Sequence, residues 1–117
     1  MDIEERFLKY VSIDTQSDEY SDTTPSTLKQ LDLGKELVKE MLELGITDAH
    51  LDEYGIVYGT IKGNGGTGDI IGFIAHMDTS PDASGTNIKP QKINNYDGSI
   101  IEINKELGLS LDPEEFV

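Results

Sequence analysis

The run from Ile70 to Ala75, IIGFIA, constrains the fold of this chain more than any other stretch. It is nearly continuously apolar, too short for a buried helix and of ordinary length for a strand. It lacks the polar alternation of a half-solvated strand, so the reading is a strand covered on both faces. Such a strand needs material above and below it. That predicts an α/β fold, a layered mixed sheet with helices.

The flanking segments supply the helices. Ile3, Phe7, Tyr10 and Val11 recur at offsets of four, seven and eight, which is one helical face, with Glu4, Glu5, Arg6 and Lys9 left for water. The polar stretch SIDTQSDEYSDTTPS reads as a loop. Thr24 before Pro25 predicts a cap and a first helical position, opening a second helix that runs to Leu44. Leu28, Leu31, Val38, Met41 and Leu42 form its apolar stripe, and Gly45 stands where a left-handed C-terminal cap belongs. Beyond it, AHLDE and IVYGTI read as a hairpin around a Tyr54-Gly55 turn. SIIEI reads as a further strand entered through Asp97-Gly98.

Composition excludes several classes. The 117 residues carry 36% hydrophobic and 27% charged side chains, enough for one modest domain with a core. No apolar run is long enough to cross a bilayer, so no membrane partner is expected. MDIEERFLKY has charge where a secretory signal has an apolar centre, and there is no cysteine. The expectation is a cytoplasmic protein. With 23 acidic against 9 basic residues the net charge is −14. Such a surface repels phosphate backbones, so no nucleic-acid partner is expected. It favours cationic groups, free amino termini among them, although solubility is reason enough for it.

Gly63, Gly65 and Gly68 match G-x-G-x-x-G. A dinucleotide site needs a helix directly afterwards to hold the pyrophosphate, and here the next element is the apolar strand. The match is read as a strand-to-strand link. The chemistry lies at the other end of IIGFIA. In open α/β sheets ligands gather at the carboxyl ends of strands, where His76 emerges. Residues two apart on an extended backbone project to one side, so Asp78 shares that position. A neutral imidazole is a zinc ligand, and a carboxylate on its other nitrogen fixes the tautomer. On spacing alone, a surface hydrogen-bonding histidine stays open beside a metal ligand. His50, the other histidine, reads as structural or solvent-facing.

AHMDTSPDASGTNIKPQ followed by NYDG resembles the peptidase T branch of the two-zinc exopeptidases. RFLKYVSIDTQSDEYSDTTPST and LDEYGIVYGTI extend the resemblance over nearly the whole chain. It implies that residues 1–117 are the amino-terminal part of a zinc-exopeptidase catalytic domain, with the remaining catalytic segment and a lid domain absent. It implies His76 as a ligand of one of two zinc ions, Asp78 as the catalytic carboxylate holding its imidazole, and a tripeptide as substrate. The other ligands, the bridging aspartate and the general-base glutamate of the family have no matching positions. Glu114-Glu115, in LDPEEF, matches the family's earlier P-E-x-F stretch, so neither residue is given a base role. The fragment alone is therefore expected to be inactive. Two alternatives remain open at this level: a non-catalytic acidic interaction module, and a dipeptidase or amidohydrolase of the same zinc family.

Overall fold

The computed structural model describes residues 1–66 and 68–115. Thr67 of the glycine-rich link, Phe116 of LDPEEF and Val117 lie outside the described residues.

The first helix, α1, spans Ile3–Val11. The Asp2 carboxylate accepts the Glu5 N–H at 2.8 Å while the Glu5 carboxylate accepts the Asp2 N–H at 3.1 Å, closing a capping box. Glu4 and Glu5 in the first turn and Lys9 in the last suit the helix dipole. The expected apolar face is present but little covered, since no residue of α1 is buried.

The second helix, α2, spans Gln30–Glu43, so it starts later than Thr24-Pro25 predicts. The residues between Pro25 and the helix are held in loop contacts. Ser26 Oγ accepts the Asp18 N–H and a Gln30 side-chain N–H, and Thr27 Oγ1 donates to the Gln16 carbonyl at 2.8 Å. Leu28 therefore precedes the helix and is exposed, and Leu42 is also exposed. Leu33, absent from the expected stripe, is the buried hydrophobic residue of the described chain. The C-terminus ends as expected. Gly45 adopts φ +89°, with its N–H on the Leu42 carbonyl and the Ile46 N–H on the Met41 carbonyl. That is a Schellman cap, in which a Cβ would be strained.

A hairpin of β1 (His50–Leu51) and β2 (Val57–Tyr58) lies against α2. The strands are antiparallel, His50 opposite Tyr58 and Leu51 opposite Val57. The Asp52 carboxylate takes the Tyr54 and Ile56 N–H groups, shaping the expected turn around Gly55 at φ +82°. Contact with α2 is close. A Cβ on Gly34 would meet Leu51 Cδ1 at 2.8 Å. A second antiparallel pair, β3 (Ile101–Asn104) and β4 (Leu109–Leu111), sets Ile101 opposite Leu111 with an irregularity between Glu102 and Asn104. Pro113–Glu115 form a short 3-10 turn. The architecture is thus mixed α/β, two helices with two small antiparallel sheets.

The expected central strand is corrected. Residues 70–75 form no ladder, and Ile70, Phe73 and Ile74 are 100%, 95% and 101% exposed. A doubly covered strand needs a neighbour on each side and a layer on each face, and the described residues provide neither. No helix among them is long and apolar enough to cross a membrane.

What joins α1 to α2 is polar. Arg6 Nε donates to Glu40 Oε2 at 3.1 Å, the Tyr10 hydroxyl donates to the same carboxylate, and Lys9 pairs with Glu36. Glu40 is 6% exposed. Burial, then the bond to Glu40, pushes the Tyr10 phenol up to about 12. Because the folded value is the higher one, this contribution is complete below the phenol's ordinary value of 10.0 and is lost as pH rises towards 12. An alkaline absorbance titration of the five tyrosines should show one late step that Tyr10→Phe removes. A parent chain with no late step, or a late step that persists in Tyr10→Phe, would refute the contact.

Candidate metal-ligand site

His76 follows the exposed apolar segment, and the chain turns there onto the loop after α1. The Thr79 N–H donates to the Thr15 carbonyl at 3.1 Å, and the Ser17 N–H to the Thr79 carbonyl at 3.0 Å. These bonds make a parallel bridge between Gln16 and Thr79. Thr15 is 3% exposed, so the bridge is anchored in the interior. The Ser17 hydroxyl adds a second bond to the Thr79 carbonyl at 3.0 Å. The backbone directly after Asp78 is thereby fixed, whereas residues 70–75 join no ladder among the described residues.

The two side chains expected to share a position do so. His76 Nδ1 lies 3.0 Å from Asp78 Oδ1. The hydrogen bond from His76 is the foremost influence holding the Asp78 carboxyl below its ordinary value, burial opposes it, and the Ser17 hydroxyl assists. An ionised carboxylate only accepts, so in the neutral ring Nδ1 carries the hydrogen. Nε2 then presents its lone pair outwards from a side chain that is 84% exposed. This is the arrangement of a metal-ligating histidine with its orienting carboxylate.

The donor set fits one ligand of a zinc centre and its supporter. Among the described residues no group of three or more histidine, cysteine, aspartate or glutamate side chains could hold a metal ion. His50 takes part in the hairpin instead. Its Nδ1 lies 2.9 Å from the Asp48 carbonyl, and its ring stacks on Tyr58 with centroids 5.2 Å apart. Glu114 and Glu115 sit on the 3-10 turn, and Asp112 Oδ1 takes the Glu114 N–H.

An apolar groove of about 620 Å³ opens beside His76, walled by Phe7 and Tyr10 of α1, Leu33 of α2, and Ala75, Met77 and Ile88. Sequence reasoning missed the side chains that tie its far wall down. Asp14 holds Lys29 at 2.9 Å and accepts the Thr86 hydroxyl at 2.9 Å. The Gln16 carboxamide donates to the carbonyls of Pro81 and Ala83 at 3.2 and 2.9 Å. Partners 15 to 72 positions apart leave no periodic trace. The one local signal was Asp14 two residues before Gln16, whose N–H it accepts at 3.0 Å in an Asx-type turn.

No family model matches the chain. Peptidase T of Desulfitobacterium hafniense (strain Y51) is 58% identical to it over 113 residues, covering 96% of this chain and 27% of that protein. Peptidase T of Clostridium acetobutylicum is 51% identical over 113 residues, and that of Alkaliphilus oremlandii 51% over 115, each covering 96% of this chain and 28% of the relative. The chain therefore spans little more than a quarter of the length of the curated relatives it matches.

Proposed function

We propose that this chain, 51–58% identical over the stretch it spans to the peptidase T relatives above, is part of a peptidase T-family protein and contributes the His76–Asp78 pair to a zinc-dependent tripeptide aminopeptidase. The observation that carries the reading is the 3.0 Å contact between His76 Nδ1 and Asp78, which leaves Nε2 free on an exposed ring. His76 is the ligand. Asp78 holds the Nδ1 hydrogen, keeps the ring in one tautomer and raises the electron density on Nε2. When bound, zinc supplies Lewis acidity that polarises a carbonyl and acidifies water towards neutral pH. The general base and the remaining ligands come from polypeptide outside these 117 residues. Two zinc ions complete the site, and removal of the first residue of a tripeptide in the cytoplasm is the proposed activity.

Taken alone, residues 1–117 should show no tripeptide turnover with added zinc. They should bind zinc weakly, as one histidine does, and lose that binding in His76→Ala. Turnover abolished by His76→Ala would overturn the proposed inactivity of the fragment. Tight stoichiometric binding that survives the substitution, measured by calorimetry, would overturn the ligand assignment. A second reading, an acidic interaction module without catalysis, draws on the net charge of −14. Sequencing the coding region past position 117 separates the two. A continuation carrying a bridging aspartate and a Glu-Glu pair supports the peptidase, and an immediate stop supports the module.

A further inference from the structure

We propose that Asp14 is a positioning residue for the His76–Asp78 pair, fastening the turn that follows the pair to the loop that carries Thr15. The functional meaning of this inference rests on the proposed ligand role of His76, whereas its geometry does not.

The pair needs such a device. His76 and Asp78 are 84% and 40% exposed, and no ladder among the described residues holds the segment in front of them. An exposed imidazole keeps one tautomer only while its acceptor stays in place. The acceptor is placed from behind, through residues 79–86. Thr79 is bridged to Thr15 and Ser17. Gln16 then binds the carbonyls of Pro81 and Ala83, and Asp14 binds the Thr86 hydroxyl, 72 positions away in sequence. Lys29, from the residue before α2, closes the group by pairing with Asp14 at 2.9 Å and reaching Gln16 Oε1 at 3.4 Å. One carboxylate thus joins the loop after α1, the entry to α2 and the turn after the pair.

Gly85 shows how close that junction is. A Cβ there would lie 2.5 Å from Asp14 Oδ1 and 3.3 Å from Gln16 Cβ. Glycine lets the turn backbone reach the carboxylate, and any larger residue pushes it away.

The test reads the tautomer, which a change confined to overall stability would not move. Nitrogen-15 shifts of both imidazoles are measured in the metal-free 117-residue chain, with His50 as the internal reference. The parent chain should show His76 mainly as the Nδ1–H form. Asp14→Asn should lower the ratio of Nδ1–H to Nε2–H at His76 by about three- to tenfold. It should leave His50 and the amides of the last two turns of α2, remote from the Asp14–Lys29 pair, unchanged. Thr86→Val removes only the donor to Asp14 and should shift the ratio in the same direction, which keeps the test decisive if Asp14→Asn fails to fold. An unchanged His76 ratio in Thr86→Val and in a folded Asp14→Asn would overturn the proposal. Zinc titration of the parent separates the two readings. If zinc leaves the His76 Nε2 resonance unmoved, the ligand role fails while the tautomer comparison still decides the role of Asp14.

Discussion

The metal-free 117-residue chain is expected to self-associate as its concentration rises, and Ile71→Lys with Phe73→Lys should return it to a 12.9 kDa monomer. Two observations drive this. Ile70, Ile71, Phe73 and Ile74 all stand exposed on a segment that joins no strand ladder among the described residues. The adjoining groove of about 620 Å³ presents Phe7, Leu33, Met77 and Ile88 as further apolar surface. Burying each large side chain is worth about 1.5–3 kcal/mol, and an unpaired edge offers its amides and carbonyls to another chain. Against this stands the net charge of −14, which keeps copies apart at long range. Added salt screens that repulsion and should strengthen association. Ile71 and Phe73 lie in the middle of the segment, so two lysines there charge it while Ile70 and Ile74 are left as they were. Sedimentation velocity across a concentration and salt series provides the measurement. A mass that stays at 12.9 kDa throughout, with no enhancement of a hydrophobic dye, would mean that residues 70–75 are covered.

The same segment shows where sequence reading reaches and where it stops. Local signals carried through. The offsets of Ile3, Phe7, Tyr10 and Val11 gave α1, Tyr54-Gly55 gave the hairpin, Gly45 gave the helix cap, and SIIEI gave β3. Each depends on contacts within a few residues. The start of α2 lies beyond Thr24-Pro25 because Ser26 and Thr27 are tied to Asp18 and Gln16 in the loop, contacts that the cap-and-proline signal does not carry. β4 passed unnoticed, since three residues entered through Gly108 at φ +63° give almost no pattern. The apolar composition of IIGFIA states what kind of surroundings the segment suits, and burial then depends on partners that the described residues lack.

The candidate site divides in the same way. The period-two spacing of His76 and Asp78 was enough to predict their contact, because it is a property of extended backbone. Asp14, Gln16, Lys29 and Thr86 were invisible to that reasoning. Their contacts follow from how the loop after α1 meets the turn after Asp78. The pair is thus written locally and its support is written tertiarily. A sequence can display the first long before it displays the second.

Removing the Glu40 carboxylate should be strongly destabilising, because it unties α1 from α2. Glu40→Ala is expected to cost about 2–4 kcal/mol and to release α1. Nine residues are too few for a helix to persist alone in water, so α1 depends on what it docks against. It buries no residue, and its firmest attachments are the bonds from Arg6 and Tyr10 to Glu40, with Lys9 Nζ 3.8 Å from the other carboxylate oxygen. That oxygen is buried without a hydrogen bond of its own, so the carboxylate's hold on α1 runs through its other oxygen, which takes both the Arg6 and the Tyr10 bonds. Acid should do the same work reversibly. The Tyr10 hydrogen bond is the foremost cause holding the Glu40 carboxyl below its ordinary value of 4.5, with Arg6 and Lys9 assisting against burial. A folded value lower than the unfolded one means the contribution is present above 4.5 and is lost as pH falls through the folded value. Tyr10 sets the opposite limit in alkali, so the junction holds between the two. Far-UV circular dichroism and urea midpoints read both effects. In Glu40→Ala the helical signal should drop towards that of α2 alone, and Glu40→Gln should flatten the acid dependence. A midpoint unmoved in Glu40→Ala would show that α1 is held by its apolar face after all.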